Sequence, residues 1–215
     1  MAPCPISSQP AVWYFDFISP FAYLQWLDLR RSPLSVPWQP TPVLLVALLQ
    51  HWGQKGPAEI ASKRRFTYRF AHWQAARAGI VLRFPPAHPF NPLPVLRLAV
   101  ALDSRAEVID RIFAHIWRDG RAADTPADLA ELGREFGVDV ERTLADGAVK
   151  EQLRANTERA IAAGAFGVPT MQVGTELFWG ADSSELLREY LRSPECFTSD
   201  EIRRLDTLPV GVRRA

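Results

Sequence analysis

The chain has 215 residues, 47% of them apolar and 23% charged, enough to bury a full core and within the usual range for a globular protein. Its 25 basic and 24 acidic residues leave a formal charge of +1, so no global field drives binding to nucleic acid or to a membrane surface. The longest apolar run, Val43 to Leu49, falls far short of the roughly 20 residues a spanning helix needs, which argues against any membrane partner.

The N-terminal stretch M-A-P-C-P-I-S-S-Q-P lacks the basic start and apolar core of a secretory signal, so a cytoplasmic location is expected. Cys4 and Cys196 stand near opposite ends, outside any C-x-x-C or metal-spaced pattern. His51, His72, His88 and His115 show no ligand spacing either, so neither a disulfide framework nor a metal site is expected.

In chain order, Ala11 to Phe17 is aromatic and β-branched with one interrupting acid, which predicts a buried strand. Ser19-Pro20 sets a capping residue directly before proline, and the apolar spacing beyond it predicts a helix to about Arg31. Leu34 to Leu44 is proline-broken but extended, giving a second strand parallel to the first and hence a βαβ unit. From Val43 to about Ala163 the period becomes helical, most clearly where Val108, Ile109, Ile112, Phe113, Ile116 and Trp117 form one stripe. Five prolines between Arg83 and Pro94 interrupt that bundle with a rigid extended loop. Two short strands are predicted around Gly174-Thr175, and D-S-S-E-L-L-R-E-Y-L opens a last helix. The tail from Glu195 combines a short helical pattern with a basic, proline-containing end.

The order βαβ, helical insertion, ββα resembles the DsbA-like branch of the thioredoxin superfamily, an α/β fold with a large helical insertion. On that resemblance, residues 11–44 and 164–193 form the thioredoxin-like domain, 45–163 the inserted helical domain and 194–215 a C-terminal tail. F-D-F-I-S-P-F-A-Y-L is similar to the opening of 2-hydroxychromene-2-carboxylate isomerases and kappa-class glutathione transferases, where S-P-x-x stands in place of C-x-x-C. G-Q-K-G-P-A-E-I-A-S-K resembles the family segment whose amide and lysine contact glutathione, here Gln54 and Lys63. G-V-P-T at Gly167–Thr170 and L-F-W-G-A-D-S at Leu177–Ser183 resemble the cis-proline strand and the γ-glutamyl site. Two positions depart from the family pattern: Gln54 replaces asparagine, and Phe70 replaces an acid.

The resemblance implies glutathione as cofactor and a small aromatic carboxylate as substrate, and it leaves room for a homodimer. Ser19 would orient the glutathione sulfur at a helix N-terminus, where unpaired N–H groups favour the thiolate; a plain helix cap is the structural alternative. Val168 and Pro169, read as a cis peptide, would offer backbone groups to the cysteinyl unit, against an ordinary trans proline. Asp182 and Ser183 would hold the γ-glutamyl zwitterion, although D-S-S-E is also a capping-box pattern. Lys55, Lys63, Arg64, Arg65 and Arg69 make a cationic stretch suited to carboxylates or to plain solvation, and Phe21, Trp52 and Trp179 could line a slot for an aromatic ring. The implied reaction interconverts 2-hydroxychromene-2-carboxylate and trans-o-hydroxybenzylidenepyruvate or a close analogue. A kappa-like transferase or peroxidase and a non-catalytic binder of glutathione conjugates are the competing readings, while a thiol-disulfide oxidoreductase lacks its cysteines.

Overall fold

A computed structural model describes residues 10–212. The first strand, β1 (Ala11–Phe15), is almost wholly buried, and α1 (Pro20–Arg31) follows it with Ser19 as N-cap and Pro20 in the first helical position. Ala22, Trp26 and Leu29 put the helix's apolar face on the core. β2 (Trp38–Pro42) is shorter than the extended stretch expected around it. It runs parallel to β1 at the edge of the sheet, the place where Pro40 and Pro42 can be tolerated without a ladder N–H.

Between β2 and β3 the chain builds α2 (Leu45–His51), α3 (Ala61–Arg77), α4 (Leu93–Ala101), α5 (Ala106–Phe113), α6 (Ala130–Phe136), α7 (Val140–Ala145) and α8 (Gly147–Ala162). One π-helical turn, Ala114–Arg118, continues α5. The chain then returns as β3 (Thr170–Val173) and β4 (Glu176–Trp179), followed by α9 (Ser184–Arg192) and α10 (Asp200–Asp206). Strand order is β2-β1-β3-β4, with β3 antiparallel to both of its neighbours.

Both faces of the sheet are covered, which is why β1 carries apolar residues at nearly every position. Trp13 and Phe15, two apart and therefore on one face, stack at 4.4 Å and meet Trp26, Phe17 and Phe113. Val12 and Tyr14 face the other way, into a smaller cluster with Val43, Leu48, Ala160, Ala165 and Val168. The stripe predicted at Val108, Ile109, Ile112, Phe113, Ile116 and Trp117 is fully buried. In the tail, a short 3-10 turn (Pro194–Phe197) stacks Phe197 on Phe178 at 5.9 Å. No helix among the described residues is long and apolar enough to cross a membrane.

Candidate active site

β1 ends two residues earlier than its composition suggests because Asp16 turns the chain. Asp16 Oδ1 accepts from the Ile18 N–H at 3.0 Å, an Asx turn, while Oδ2 accepts from the Leu45 N–H at 2.9 Å and so ties this turn to the start of α2. The rest of the turn is held as closely. Trp117 Nε1 donates to the Phe17 carbonyl at 2.8 Å, His88 Nε2 lies 2.8 Å from the Ile18 carbonyl, and the Ser19 N–H donates to the Asp16 carbonyl at 3.1 Å. Asp16 is completely buried, and that desolvation pushes its carboxyl up to about 7, tempered by the two N–H groups it accepts from. Its place at the end of an aromatic strand made it look like a mere interruption in the sequence.

Ser19, 7% exposed, is a true N-cap: its Oγ accepts from the Ala22 N–H at 3.3 Å. The hydroxyl proton is not used by that bond and remains available to an acceptor at the mouth of the helix. Pro20 has no N–H, and among the described residues the Phe21 N–H meets no acceptor. The helix start thus combines a cap with spare donors.

The bond Val168–Pro169 is cis, as the motif implied. Pairing of Tyr14 with Thr170 brings it to the same end of the sheet as the Asp16–Ser19 turn. The Pro169 carbonyl is occupied by the Gly180 N–H at 2.8 Å, whereas the Val168 N–H and C=O have no hydrogen-bond partner among the described residues. Val168, then, offers both backbone groups, and Pro169 serves to join β3 to the turn after β4.

Asp182 and Ser183 lie in a 3-10 turn, Ala181–Ser183, that leads into α9. The capping box that D-S-S-E suggested does not form: Ser183 is the N-cap, no side chain caps α9, and the Ser183 hydroxyl donates instead to the Gly180 carbonyl at 2.8 Å. Gly180 has φ +91, and a Cβ there would lie 2.3 Å from Asp182 Oδ1, so only glycine lets that exposed carboxylate fold over the backbone. Gln25, fully buried in α1, accepts from Trp13 Nε1 at 2.7 Å and donates to the Gly180 carbonyl and to Ser184 Oγ. It links the middle of α1 to the start of α9.

Gln54 and Lys63 are both exposed, Gln54 past the end of α2 and Lys63 in the first turn of α3. Neither has a side-chain hydrogen bond or ion pair among the described residues, to Ser19 or to any other; Trp52 Nε1, donating to the Ala165 carbonyl at 2.9 Å, fastens their segment to the loop that carries Val168. α3 holds Lys63, Arg64, Arg65, Arg69 and Arg77 with no acid, and none of them makes a salt bridge among the described residues. Phe70 stacks between Phe66 and Trp73 and reaches Phe21, two residues past Ser19, at 6.2 Å. Trp52 and Trp179 are exposed, and Trp179 packs on Phe166 at 5.2 Å. Cys4 lies outside the described residues; Cys196 is a free thiol far from this turn in sequence, its pKa raised by burial and then by Glu189 and Glu195.

Comparison with known proteins supports the fold and the family. The profile of the DSBA-like thioredoxin domain matches residues 12–192. A 2-hydroxychromene-2-carboxylate isomerase of Pseudomonas putida is 30% identical over 180 residues, covering 79% of this chain and 88% of the relative. The chain belongs to the DSBA-like thioredoxin family, on the branch of the 2-hydroxychromene-2-carboxylate isomerases. Glutathione s-transferase kappa 2 of Caenorhabditis elegans is 27% identical over 205 residues, covering 85% of this chain and 91% of that one. A solved 2-hydroxychromene-2-carboxylate isomerase superposes with a TM-score of 0.74 at 24% identity, over 90% of this chain and 99% of the other, and supports the fold. These relatives make this DsbA-like protein an enzyme of the isomerase or glutathione-transferase kind.

Proposed function

We propose that this enzyme is a glutathione-dependent isomerase that interconverts 2-hydroxychromene-2-carboxylate and trans-o-hydroxybenzylidenepyruvate or a close analogue. The observation that carries the reading is the turn from Asp16 to Ser19, rigidly held and ending in a hydroxyl donor at a helix start where redox relatives carry a thiol. The surroundings fit glutathione: the Val168 N–H and C=O are free to pair with an extended peptide, and α9 begins uncapped beside Asp182. When bound, glutathione supplies a thiolate that adds reversibly to the substrate's conjugated double bond, permits rotation about it and leaves unchanged.

Ser19 donates its hydroxyl to the sulfur, and the start of α1 adds the Phe21 N–H and the helix dipole, all of which favour the anion. Asp182 takes the γ-glutamyl ammonium, the α9 N–H groups its carboxylate, joined by the Ser183 hydroxyl once it turns from the Gly180 carbonyl, and Lys63 and Gln54 the opposite end of the tripeptide. The unpaired cations of α3 and the rings of Phe21 and Phe70 suit an aromatic carboxylate and the enolate that develops on its pyruvyl group. A kappa-like transferase would share these contacts but consume the cofactor. Mass spectrometry after incubation with trans-o-hydroxybenzylidenepyruvate, with and without glutathione, tests the reading: isomer formed only with glutathione supports it, whereas a glutathione adduct as product, or no turnover, opposes it.

A further inference from the structure

His88 lies in the proline-rich loop, seventy residues from the turn it touches. Its Nδ1 is 2.6 Å from Tyr68 Oη, its Nε2 is 2.8 Å from the Ile18 carbonyl, and Tyr68 Oη also donates toward the His88 carbonyl at 2.8 Å. Both ring nitrogens are therefore engaged. The ring packs edge-on among Tyr68, Phe84, Phe90 and Trp117 at 5.1 to 6.1 Å. A phenylalanine would fill such a nest equally well, so packing alone does not call for an imidazole.

The protonation pattern follows from the partners. Burial pulls the His88 pKa down, so the ring is neutral near pH 7 and carries one N–H. A backbone carbonyl can only accept, so that proton is on Nε2, and the unprotonated Nδ1 shares the single Tyr68 hydroxyl proton with the His88 carbonyl. The Ile18 carbonyl belongs to the peptide whose N–H is that of Ser19, and that N–H donates to the Asp16 carbonyl. With the peptide held at both ends it cannot flip, and the backbone on the N-terminal side of Ser19 is fixed. We propose that His88 is a positioning residue for the Ser19 site, its Nε2–H holding the Ile18 carbonyl while the Tyr68 hydroxyl on α3 anchors the opposite ring nitrogen. This rests on the reading of Ser19 given above. It adds a residue pair that clamps the reactive turn from α3, the helix that also carries Lys63 and Phe70.

Three variants test it: His88→Phe, which keeps the aromatic packing without the donor; His88→Gln, whose amide N–H reaches near the Nε2 position; and Tyr68→Phe, which removes only the hydroxyl that anchors Nδ1. Steady-state kinetics with glutathione and amide hydrogen exchange at Ser19 are the readouts. His88→Phe is expected to lower kcat about 10- to 100-fold with the KM for glutathione held within about twofold, because a displaced hydroxyl affects the reacting sulfur more than the bound peptide. The Ser19 amide should exchange at least about tenfold faster. His88→Gln should recover most of both losses, and Tyr68→Phe should fall between. Wild-type kcat and wild-type Ser19 exchange in folded His88→Phe would overturn the proposal. So would equal losses in the Phe and Gln variants that track a common fall in Tm, since that is a purely structural role. Should the wild type bind no glutathione, the functional reading fails, while the exchange measurement alone still decides whether His88 holds the turn.

Discussion

Asp16 makes folding stability depend on pH in the direction opposite to most carboxylates. Its carboxyl is raised from 3.8 to about 7 in the folded protein, so between those values the native state keeps a proton that the unfolded chain has released. Stability from this residue is therefore greatest at low pH and is lost as pH rises through that window. The rise from 3.8 to about 7, at about 1.36 kcal/mol per pH unit, puts the whole loss at about 4 kcal/mol, of which about 2–3 kcal/mol falls between pH 5 and pH 8. Asp16→Asn abolishes the titration; its carbonyl oxygen can still accept from Ile18, but its NH2 would face the Leu45 N–H, leaving one donor unmet at a cost of about 1–3 kcal/mol. Urea unfolding of both proteins near pH 5 and near pH 8 separates these effects. The variant should gain about 2–3 kcal/mol on the wild type between the lower pH and the higher, and should draw level with it or exceed it at the higher. His88, buried and neutral, pushes stability the other way below about pH 6.5, but it does so in both proteins and cancels in the difference. A stability difference that stays constant from one pH to the other would refute this account of Asp16.

Ser19→Ala should slow glutathione-dependent turnover while leaving cofactor affinity within about twofold, because the proposed function has Val168, Asp182 and Lys63 hold the peptide of the ligand; steady-state kinetics and calorimetry together check this. Asp182→Asn should weaken glutathione binding about tenfold by calorimetry, the lower end for a charge-assisted contact given the exposure of this carboxylate. Replacing Cys4 and Cys196 by serine should leave turnover unchanged, since the Cys196 thiol is held in its protonated form and a mechanism with a borrowed thiol needs neither.

Features set by neighbours in the chain were legible in the sequence. Ser19-Pro20 announced the start of α1 and the helical stripe from Val108 to Trp117 announced a buried face, whereas the cis bond at Val168–Pro169 was implied only by the family resemblance of G-V-P-T. The hidden features depend on partners distant in sequence. Asp16 could not be distinguished from a chance acid until Leu45 was seen to donate to it, and His88 looked like one of four scattered histidines until its loop lay against Ile18. Asp182-Ser183-Ser184-Glu185 showed the opposite failure: a local capping signal that the fold does not use, because the Ser183 hydroxyl turns back to Gly180. The single signal that could have exposed Asp16 was its chemistry, since an ionisable group at the buried end of an aromatic strand must find partners or change its pKa.

The proposed function stands on Ser19 favouring the thiolate of bound glutathione. The near-ultraviolet absorbance of the thiolate measures this directly, in a titration of the enzyme-glutathione complex from low to high pH. The account predicts a bound-thiol pKa well below the reference of about 8.5. A value at or above that reference would contradict it.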